Sequence, residues 1–332
     1  MRRKPTKAEQ AMDDPSTRGK TVKRVAVVAT GVIGASWAAH FLAHGLNVVA
    51  TDPAPDAEER LHADVDAIWP TLERLGLAGF ASRGRGRLRF ERDLETAVEG
   101  ADFVQENGPE REDFKIDLFK RLDAALPPEV ILSSSSSGLS TTRIQSECVH
   151  PERVVVAHPF NPPHLIPLVE VVGGRHTSED TVLAAIAFYA GIGKHPIRVR
   201  HEIKGHIANR LQAALWREAF HLVELGVASV EDVDTAIAEG PGLRWSVMGP
   251  FLNLHLSGGD GGIEHLLEHL GGPISTWWKD LGCPELSPAL SAKVGRGVID
   301  SMRGRSRRAA ESARDELLVE LIKNKKRLSN ID

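Results

Sequence analysis

The segment His158–Glu170 combines an imidazole and a carboxylate, the residue types that acid–base chemistry near neutral pH requires. Its first half is rich in proline, which fixes φ and lacks an N–H donor, so this half predicts a loop. Residues 165–172 are apolar and predict a buried strand with Glu170 in its middle. A buried carboxylate needs a partner, and His158 is the obvious one. A structural histidine beside a satisfied core glutamate fits the same residues, so the rest of the chain must decide between these two interpretations.

The composition is that of a two-domain protein without features of nucleic-acid or membrane binding. The 332 residues suffice for two domains, and 42% of them are hydrophobic. The net charge of -4 gives no sign of a nucleic-acid or anionic-membrane partner, and no apolar run reaches the roughly 20 residues of a bilayer span. The two cysteines exclude a disulfide framework and a cysteine-rich metal site, so we expect no metal and a reducing, cytoplasmic location. Residues 1–21 are charged and predict a flexible extension.

The fold begins with a strand, a glycine turn, a helix, a second strand and an acid. Residues 24–28 predict a buried strand, and Ala29-Thr-Gly31-Val-Ile-Gly34 follows. A helical segment, residues 35–44, ends at Gly45, and a second strand leads into Asp52. This order predicts a dinucleotide-binding unit, with the pyrophosphate on the helix N-terminus. The predicted cofactor contacts in the turn come from Ala29, Gly31, Val32, Ile33 and Gly34.

Two residues of this unit bear on the choice between NAD and NADP and on the affinity for the cofactor. Asp52 would accept hydrogen bonds from the adenosine ribose and would repel a 2′-phosphate, which favours NAD over NADP. Ala29 stands where the fingerprint has its first glycine. A Cβ there is tolerated at negative φ and otherwise costs on the order of 1 kcal/mol. The alternative is an α/β turn that binds nothing.

Alternating strands and helices continue to residue 200 and predict a Rossmann-type doubly wound sheet over residues 22–200. Residues 113–125 predict a helix with an apolar stripe at Phe114, Leu118, Phe119 and Leu122. The serine run Ser133–Ser137 follows a predicted strand, and a hydroxyl there can donate to a substrate oxygen. Helix capping and loop hydrogen bonds are the alternative for some of these serines. Arg83–Arg87 predicts a solvated basic turn rather than an anion site.

The pattern becomes helical at the second domain, residues 201–332, within which residues 240–250 predict a loop. The fold class is therefore α/β, a Rossmann-type sheet domain followed by an all-helical C-terminal domain.

Four motifs resemble the 3-hydroxyacyl-CoA dehydrogenase superfamily over nearly all of the chain from Val22. They are A-T-G-V-I-G with Asp52, the serine run ending in Ser137-Gly-Leu139, the block H-P-F-N-P-P-H-L-I-P-L-V-E of residues 158–170, and G-H-I-A-N-R-L of residues 205–211. The histidine block is specific to this superfamily. The resemblance implies NAD as cofactor and a homodimer formed through the helical domain.

The resemblance also implies roles for individual residues. The superfamily's catalytic His and Glu map on His158 and Glu170, its substrate-orienting Ser on Ser137, or Ser136 if the register slips, and its Asn on Asn209. His158 then removes the proton of a substrate 3-hydroxyl while hydride leaves C3 for the nicotinamide, and Glu170 stabilises the imidazolium. The residues implied at the nicotinamide end are Glu110, Lys115 and Asn161.

Within this superfamily, the chain is most similar to the branch of L-carnitine dehydrogenase and L-gulonate 3-dehydrogenase, which includes the lambda-crystallins. The shared element is Gly242-Leu-Arg244-Trp245. Arg244 is suited to pair with a substrate carboxylate, and Trp245 to face a trimethylammonium group. The predicted substrate is thus a small L-3-hydroxy acid. The alternatives are a short-chain 3-hydroxyacyl-CoA dehydrogenase and an NAD-binding structural protein with little turnover.

Overall fold

The computed structural model describes residues 21–77 and 87–329. The predicted extension before Thr21 and all of the predicted basic turn except Arg87 lie outside the described residues. The chain divides into two compact units: the first runs to Ile207 and includes Leu318–Lys323, and the second comprises Ala208–Leu317 and the residues from Asn324 onward.

The first unit is built on one eight-stranded sheet with the order β3-β2-β1-β4-β5-β6-β7-β8. All neighbouring strands are parallel except β6 and β7. The strands are β1 Arg24–Val28, β2 Asn47–Thr51, β3 Leu88–Phe90, β4 Phe103–Glu106, β5 Ile131–Ser134, β6 Val154–Pro159, β7 Leu168–Gly173 and β8 His195–Val199. The helices of this unit are α1 Val32–Ala43, α2 Ala57–Leu72, α3 Leu94–Val98, α4 Glu112–Ala125, α5 Thr141–Ile144 and α6 Glu179–Gly191. The predicted α/β class with a Rossmann-type sheet is confirmed.

The strand order reverses between β1 and β4, where open parallel sheets bind ligands beyond the carboxyl ends of their strands. Alternating side chains of β1 explain why both faces of the sheet are covered. Val25 and Val27 join the hydrophobic cluster on one face, and Ala26 and Val28 join the cluster on the other. The central strands are therefore buried on both sides, which fixes the position of the turns that follow them.

Helix α4 buries a different stripe from the one that its apolar residues predict. Leu118, Phe119 and Leu122 are buried as expected, but Phe114 is 38% exposed and Lys115 is buried instead. Residues 115, 118, 119 and 122 follow the i, i+3, i+4, i+7 spacing, so they form one face of a regular α-helix. The unexpected feature of this buried face is that it contains a lysine.

The second unit is helical, as the sequence predicts. Its helices are α7 Ala208–Leu225, α8 Val230–Ala238, α9 Pro241–Trp245, α10 Pro250–Ser257, α11 Gly262–Asp280, α12 Pro288–Ser301 and most of α13 Arg307–Ser329. The prediction of a loop over residues 240–250 is wrong where α9 forms, because Pro241 at its start already has the φ of a helix and needs no N–H partner. In the described part of the chain, no helix is both long and apolar enough to cross a membrane.

Candidate active site

The neighbouring strands β6 and β7 bring His158 and Glu170 together. They are paired positions of the antiparallel ladder, and His158 Nδ1 lies 2.9 Å from Glu170 Oε2. Glu170 is fully buried and His158 is 6% exposed. Because a carboxylate can only accept, Nδ1 carries the proton of the neutral ring and Nε2 keeps a lone pair. The arrangement is a histidine oriented by a carboxylate, a geometry that suits acid–base catalysis.

The second oxygen of Glu170 is also satisfied. Its Oε1 accepts a hydrogen bond from the backbone N–H of Ile207 at 2.8 Å. Because both oxygens accept hydrogen bonds, the carboxylate is held in one orientation in spite of its complete burial.

Two rings flank the imidazole of His158. The Phe160 ring lies edge-on at a centroid distance of 5.1 Å, and the His206 ring is tilted at 5.3 Å. The loop that carries Phe160 is itself fixed to α1, because Ser36 Oγ accepts from the His164 N–H at 2.8 Å. These contacts limit the rotamers open to His158, so its Nε2 has a defined direction. Asn161, a predicted cofactor residue, is exposed in the same loop.

The serines of the run Ser133–Ser137 have different environments. Their hydroxyl partners are Tyr189 for Ser133, Glu106 for Ser134, Asn107 for Ser135 and Glu110 for Ser136, at 2.8, 2.6, 2.7 and 2.6 Å. Ser137 is exposed, and its hydroxyl has no partner among the described residues. Ser137 is therefore the member of the run whose hydroxyl is available to a ligand, whereas the hydroxyl of Ser136 is engaged by Glu110.

Glu110, another predicted cofactor residue, holds the loop that carries Ser137. Its Oε1 accepts from the Ser136 hydroxyl and from the backbone N–H groups of Ser137, Gly138 and Leu139, the last three at 3.1, 2.8 and 3.2 Å. The sequence gives no signal for this contact, because the carboxylate and the serines are separated by helix α4 and strand β5. Glu110 thus positions the serine loop, and its contact with a cofactor stays a prediction.

The three positions of the glycine turn differ in what they require. Ala29 has φ +66°, in the left-handed region. A Cβ in this conformation costs free energy relative to glycine, so Ala29 is strained. A Cβ at Gly31 would have open space around it, whereas one at Gly34 would lie 2.0 Å from the carbonyl oxygen of Ala29. Gly34 therefore permits close packing of α1 on the turn, and Gly31 leaves an open approach to the backbone.

The cofactor's phosphates and ribose both have a suitable partner here. Helix α1 has no side-chain cap and no acidic residue in its first turn, and Val32 is 69% exposed. Free N–H groups at such a helix start bind a pyrophosphate. Asp52 lies just beyond β2, where its Oδ2 accepts from Thr30 N and its Oδ1 from Ala54 N, both at 2.9 Å. A carboxylate held in this way suits ribose hydroxyls, so the residues present fit NAD.

Replacing Ala29 by Gly should raise the free energy of unfolding by about 1 kcal/mol. The relief of left-handed strain, about 1–2 kcal/mol, exceeds the added entropy of glycine in the unfolded chain. A thermal melt should then show a rise of about 2–4 °C. Gly34→Ala is the matched control, since its methyl group would displace the Ala29 carbonyl and lower the melting temperature. An Ala29→Gly protein that melts no higher than the natural one would show that the turn is not strained.

Lys115 is a predicted cofactor residue that the structure places in a buried ion pair. Its Nζ lies 2.8 Å from both carboxylate oxygens of Glu106 and 3.1 Å from the carbonyl oxygen of Gly108. Lys115 and Glu106 side chains are 1% and 0% exposed. An ammonium group has three donors, and these contacts occupy them. Lys115 thereby supports the turn after β4, and a direct contact with the cofactor stays a prediction.

The remaining predicted residues belong to the second unit. Asn209 is the second residue of α7, and Arg244 and Trp245 lie on α9. Arg244 lines a cavity of about 470 Å³ within this unit. The other residues around the cavity are Leu243, Val247, Met248, Asn253, Leu256 and Ser257. One guanidinium in a mostly apolar cavity suits a small ligand with a carboxylate. No group of three or more side chains suited to a metal ion occurs among residues 21–77 and 87–329.

A dinucleotide-binding turn, an acidic residue after β2 and an oriented histidine are the parts of an NAD-dependent dehydrogenase. The family model of the 3-hydroxyacyl-CoA dehydrogenase NAD binding domain matches residues 24–203, and that of the 3-hydroxyacyl-CoA dehydrogenase C-terminal domain matches residues 205–301. The chain belongs to the 3-hydroxyacyl-CoA dehydrogenase family. Its class, an NAD-dependent dehydrogenase, and its cofactor agree with the sequence prediction.

Similar proteins extend over nearly the whole chain. An L-carnitine dehydrogenase of Streptomyces coelicolor is 51% identical over 312 residues, which are 94% of this chain and 98% of the relative. An L-carnitine dehydrogenase of Bacillus cereus is 48% identical over 312 residues, 94% and 95% of the two chains. The crystal structure of an NAD⁺-dependent dismutase, 5-formyl-3-hydroxy-2-methylpyridine 4-carboxylic acid 5-dehydrogenase, aligns with a TM-score of 0.80 at 31% identity, over 92% of this chain and 99% of that one.

Proposed function

We propose that this enzyme oxidises L-carnitine, or a closely similar small L-3-hydroxy acid, to the 3-oxo acid. The observation that carries the proposal is the level of identity to L-carnitine dehydrogenases, about half of all residues over nearly the full length of both chains. The cavity at Arg244 supports it, because a free acid presents a carboxylate where a CoA ester presents a thioester. Trp245, 43% exposed on the same short helix, offers an aromatic face to a trimethylammonium group.

In the proposed mechanism, His158 and Glu170 form the acid–base pair. Nε2 of His158 takes the proton of the substrate 3-hydroxyl, and Glu170 Oε2 stabilises the imidazolium through Nδ1–H. Bound NAD supplies the hydride acceptor. The Ser137 hydroxyl donates to the reacting oxygen, and Asn209 donates to the same oxygen or to the substrate carboxylate. In the reverse direction, His158 returns the proton to the developing alkoxide.

The cofactor contacts follow from the turn and from Asp52. We propose that the backbone of residues 31–34 holds the pyrophosphate and that Asp52 holds the adenosine ribose, as the open approach at Gly31 and the fixed carboxylate support. Glu110 and Lys115 support the nicotinamide end through the serine loop and the turn after β4, and Asn161 contributes from the proline-rich loop.

The direct test is NADH formation with four substrates: L-carnitine, L-gulonate, 3-hydroxybutyrate and 3-hydroxybutyryl-CoA. D-carnitine serves as the stereochemical control. We expect the largest kcat/KM for L-carnitine and none for its D-isomer. Turnover of the CoA ester alone would refute a free-acid substrate, and turnover of no substrate, with NAD bound, would favour a structural role.

Replacing Arg244 by Ala should lower kcat/KM for L-carnitine by about 10- to 100-fold, mainly through KM. A charge-assisted hydrogen bond is worth about 1.5–3 kcal/mol, and each 1.4 kcal/mol is about tenfold. The dissociation constant of NADH, from fluorescence titration, should not change. Arg308→Ala is the matched control, because it removes the same charge from an exposed position outside the cavity. Equal effects of the two substitutions would exclude a carboxylate contact by Arg244.

We propose that the protein is a homodimer through its helical unit. In Ala208–Leu317 the buried hydrophobic residues are Val223, Leu266 and Leu290, which is a small core for so many helices. Large apolar side chains are exposed on the same helices, among them Phe251, Trp277, Trp278 and Ile299. Obligate homodimers cover such surfaces with a second copy.

Sedimentation or light scattering should therefore give twice the 36.1 kDa chain mass at micromolar concentration. A monomer mass over the whole concentration range would contradict the proposal.

A cytoplasmic location is proposed separately. Cys148 and Cys283 are both free thiols, and a reducing compartment keeps thiols in this state.

A further inference from the structure

His206 is a buried imidazole at the active site to which the proposed mechanism gives no role. It is 3% exposed, and its ring lies beside that of His158 at a centroid distance of 5.3 Å. Its backbone has φ +47°, a left-handed conformation that is uncommon for a residue other than glycine. Strained backbone that persists at such a place is a reason to ask what the side chain does there.

One nitrogen of His206 holds the peptide group that precedes Ser137. Nε2 lies 3.4 Å from the carbonyl oxygen of Ser136, and because a carbonyl can only accept, Nε2 carries the proton. The N–H of the same peptide group, that of Ser137, donates to Glu110. The peptide plane is therefore held on one edge by Glu110 and on the other by His206, and its orientation sets the direction of the Ser137 side chain.

The same segment also contacts both members of the acid–base pair. The His206 ring covers one side of His158, and the next residue, Ile207, donates its backbone N–H to Glu170. His206 thus touches the serine loop and the histidine base at once. A shift of this ring would move Ser137 and His158 relative to each other.

A residue needed for packing alone would not have to be histidine. Nδ1 of His206 is buried and has no hydrogen-bond partner among the described residues, which costs about 1–3 kcal/mol relative to a satisfied group. A phenylalanine would fill similar space without that cost. Burial, and then the neighbouring His158, lower the pKa of His206, so its ring is neutral and Nε2 remains a donor to the carbonyl.

We propose that His206 is a positioning residue that sets the placement of Ser137 relative to His158, through its Nε2–H to the Ser136 carbonyl. The inference rests on the proposed function, in which the Ser137 hydroxyl and His158 Nε2 meet at one substrate oxygen. Misplacement of reacting groups by about 1 Å can cost on the order of 100-fold in rate, so a small shift is enough to be measured.

The test compares three replacements of His206. Phe keeps a planar ring, somewhat larger than imidazole, and loses the donor. Asn tolerates positive φ but does not reach the Ser136 carbonyl, and Gln places an amide N–H near the position of Nε2. We expect kcat to fall about tenfold with Phe and Asn and to return to within about threefold with Gln. The dissociation constant of NADH should stay within about twofold in all three, as it should in the control His201→Phe, which changes an exposed histidine of the same segment.

A double-variant cycle with Ser137→Ala tests whether His206 acts through Ser137. Where the serine hydroxyl is already absent, His206→Phe should lower kcat by no more than about twofold, because coupled residues are not additive. Independent, multiplicative effects would overturn the proposal, and so would a Phe variant with unchanged kcat or a Gln variant as slow as Phe.

A second readout needs no turnover and so separates this inference from the proposed function. The backbone N–H of Ser137, which donates to Glu110, gives an amide resonance that can be assigned by serine-selective nitrogen-15 labelling and its loss in Ser137→Ala. We expect this resonance to shift or broaden in His206→Phe and to be restored in His206→Gln, because both sides of the Ser136–Ser137 peptide group are held only when a donor reaches the Ser136 carbonyl. If the natural protein oxidised none of the substrates, the proposed function would fail while this comparison still decided the role of His206. An unchanged resonance in the Phe variant would then overturn it.

Discussion

Replacing His158 by Asn should lower kcat by about 100- to 10,000-fold while the protein remains folded and binds NADH normally. The loss is that of a positioned general base, because Asn has no group that takes a proton near neutral pH. Asn nevertheless retains an amide N–H near the position of Nδ1, so Glu170 Oε2 can keep a donor. Steady-state NADH formation measures the rate, fluorescence titration the affinity, and a urea transition the stability.

The matched variant is His158→Ala, which removes the base and the donor together. Its kcat should be as low as that of the Asn variant, but its free energy of unfolding should be lower by about 1–3 kcal/mol, because the fully buried carboxylate of Glu170 loses the hydrogen bond from His158 Nδ1. Equal stability of the two variants would mean that the hydrogen bond to Glu170 is not formed as described. More than a tenth of the natural rate in the Asn variant would exclude His158 as the base.

Much of this site could be predicted from the sequence because it depends on residues that are close together along the chain. The strand, turn, helix and acid around Ala29 and Asp52 occur within about thirty residues, and each has its own signal in the side-chain pattern. The contact between His158 and Glu170 follows from one hairpin, since a strand that returns beside its neighbour pairs residues at similar distances from the loop. The resemblance to a known family then gave these residues their roles.

The parts of the site that could not be predicted depend on contacts between segments far apart in the sequence, and no local residue pattern indicates these contacts. Glu110 holds the serine loop across helix α4 and strand β5, and the His206 ring reaches the Ser136 carbonyl from beyond β8. On α4, the sequence favours Phe114 for the buried face, yet Lys115 is buried, because a carboxylate at the end of β4 lies within reach of its ammonium group. A buried charge of this kind is stable only with its partner, and the partner can be identified only once the sheet and helix are assembled.

Replacing Lys115 by Met should lower the free energy of unfolding by about 3–5 kcal/mol. The substitution fills similar space but leaves Glu106 as an uncompensated buried charge, and breaking one partner of such a pair is strongly destabilising. A urea transition measures the loss. The dissociation constant of NADH, measured where the protein is folded, should change less than about threefold, because each contact of the ammonium group is with Glu106 or Gly108.

The double variant Glu106→Gln/Lys115→Met separates a structural lysine from a cofactor-binding one. Gln removes the buried charge and keeps an oxygen that can accept from the Ser134 hydroxyl, so at least half of the lost stability should return. If Lys115 contacted the cofactor itself, NADH affinity would fall in the single variant and would not recover in the double one. Recovery of stability with unchanged affinity would instead assign the lysine to the turn after β4, whose position it fixes through Glu106 and the carbonyl of Gly108.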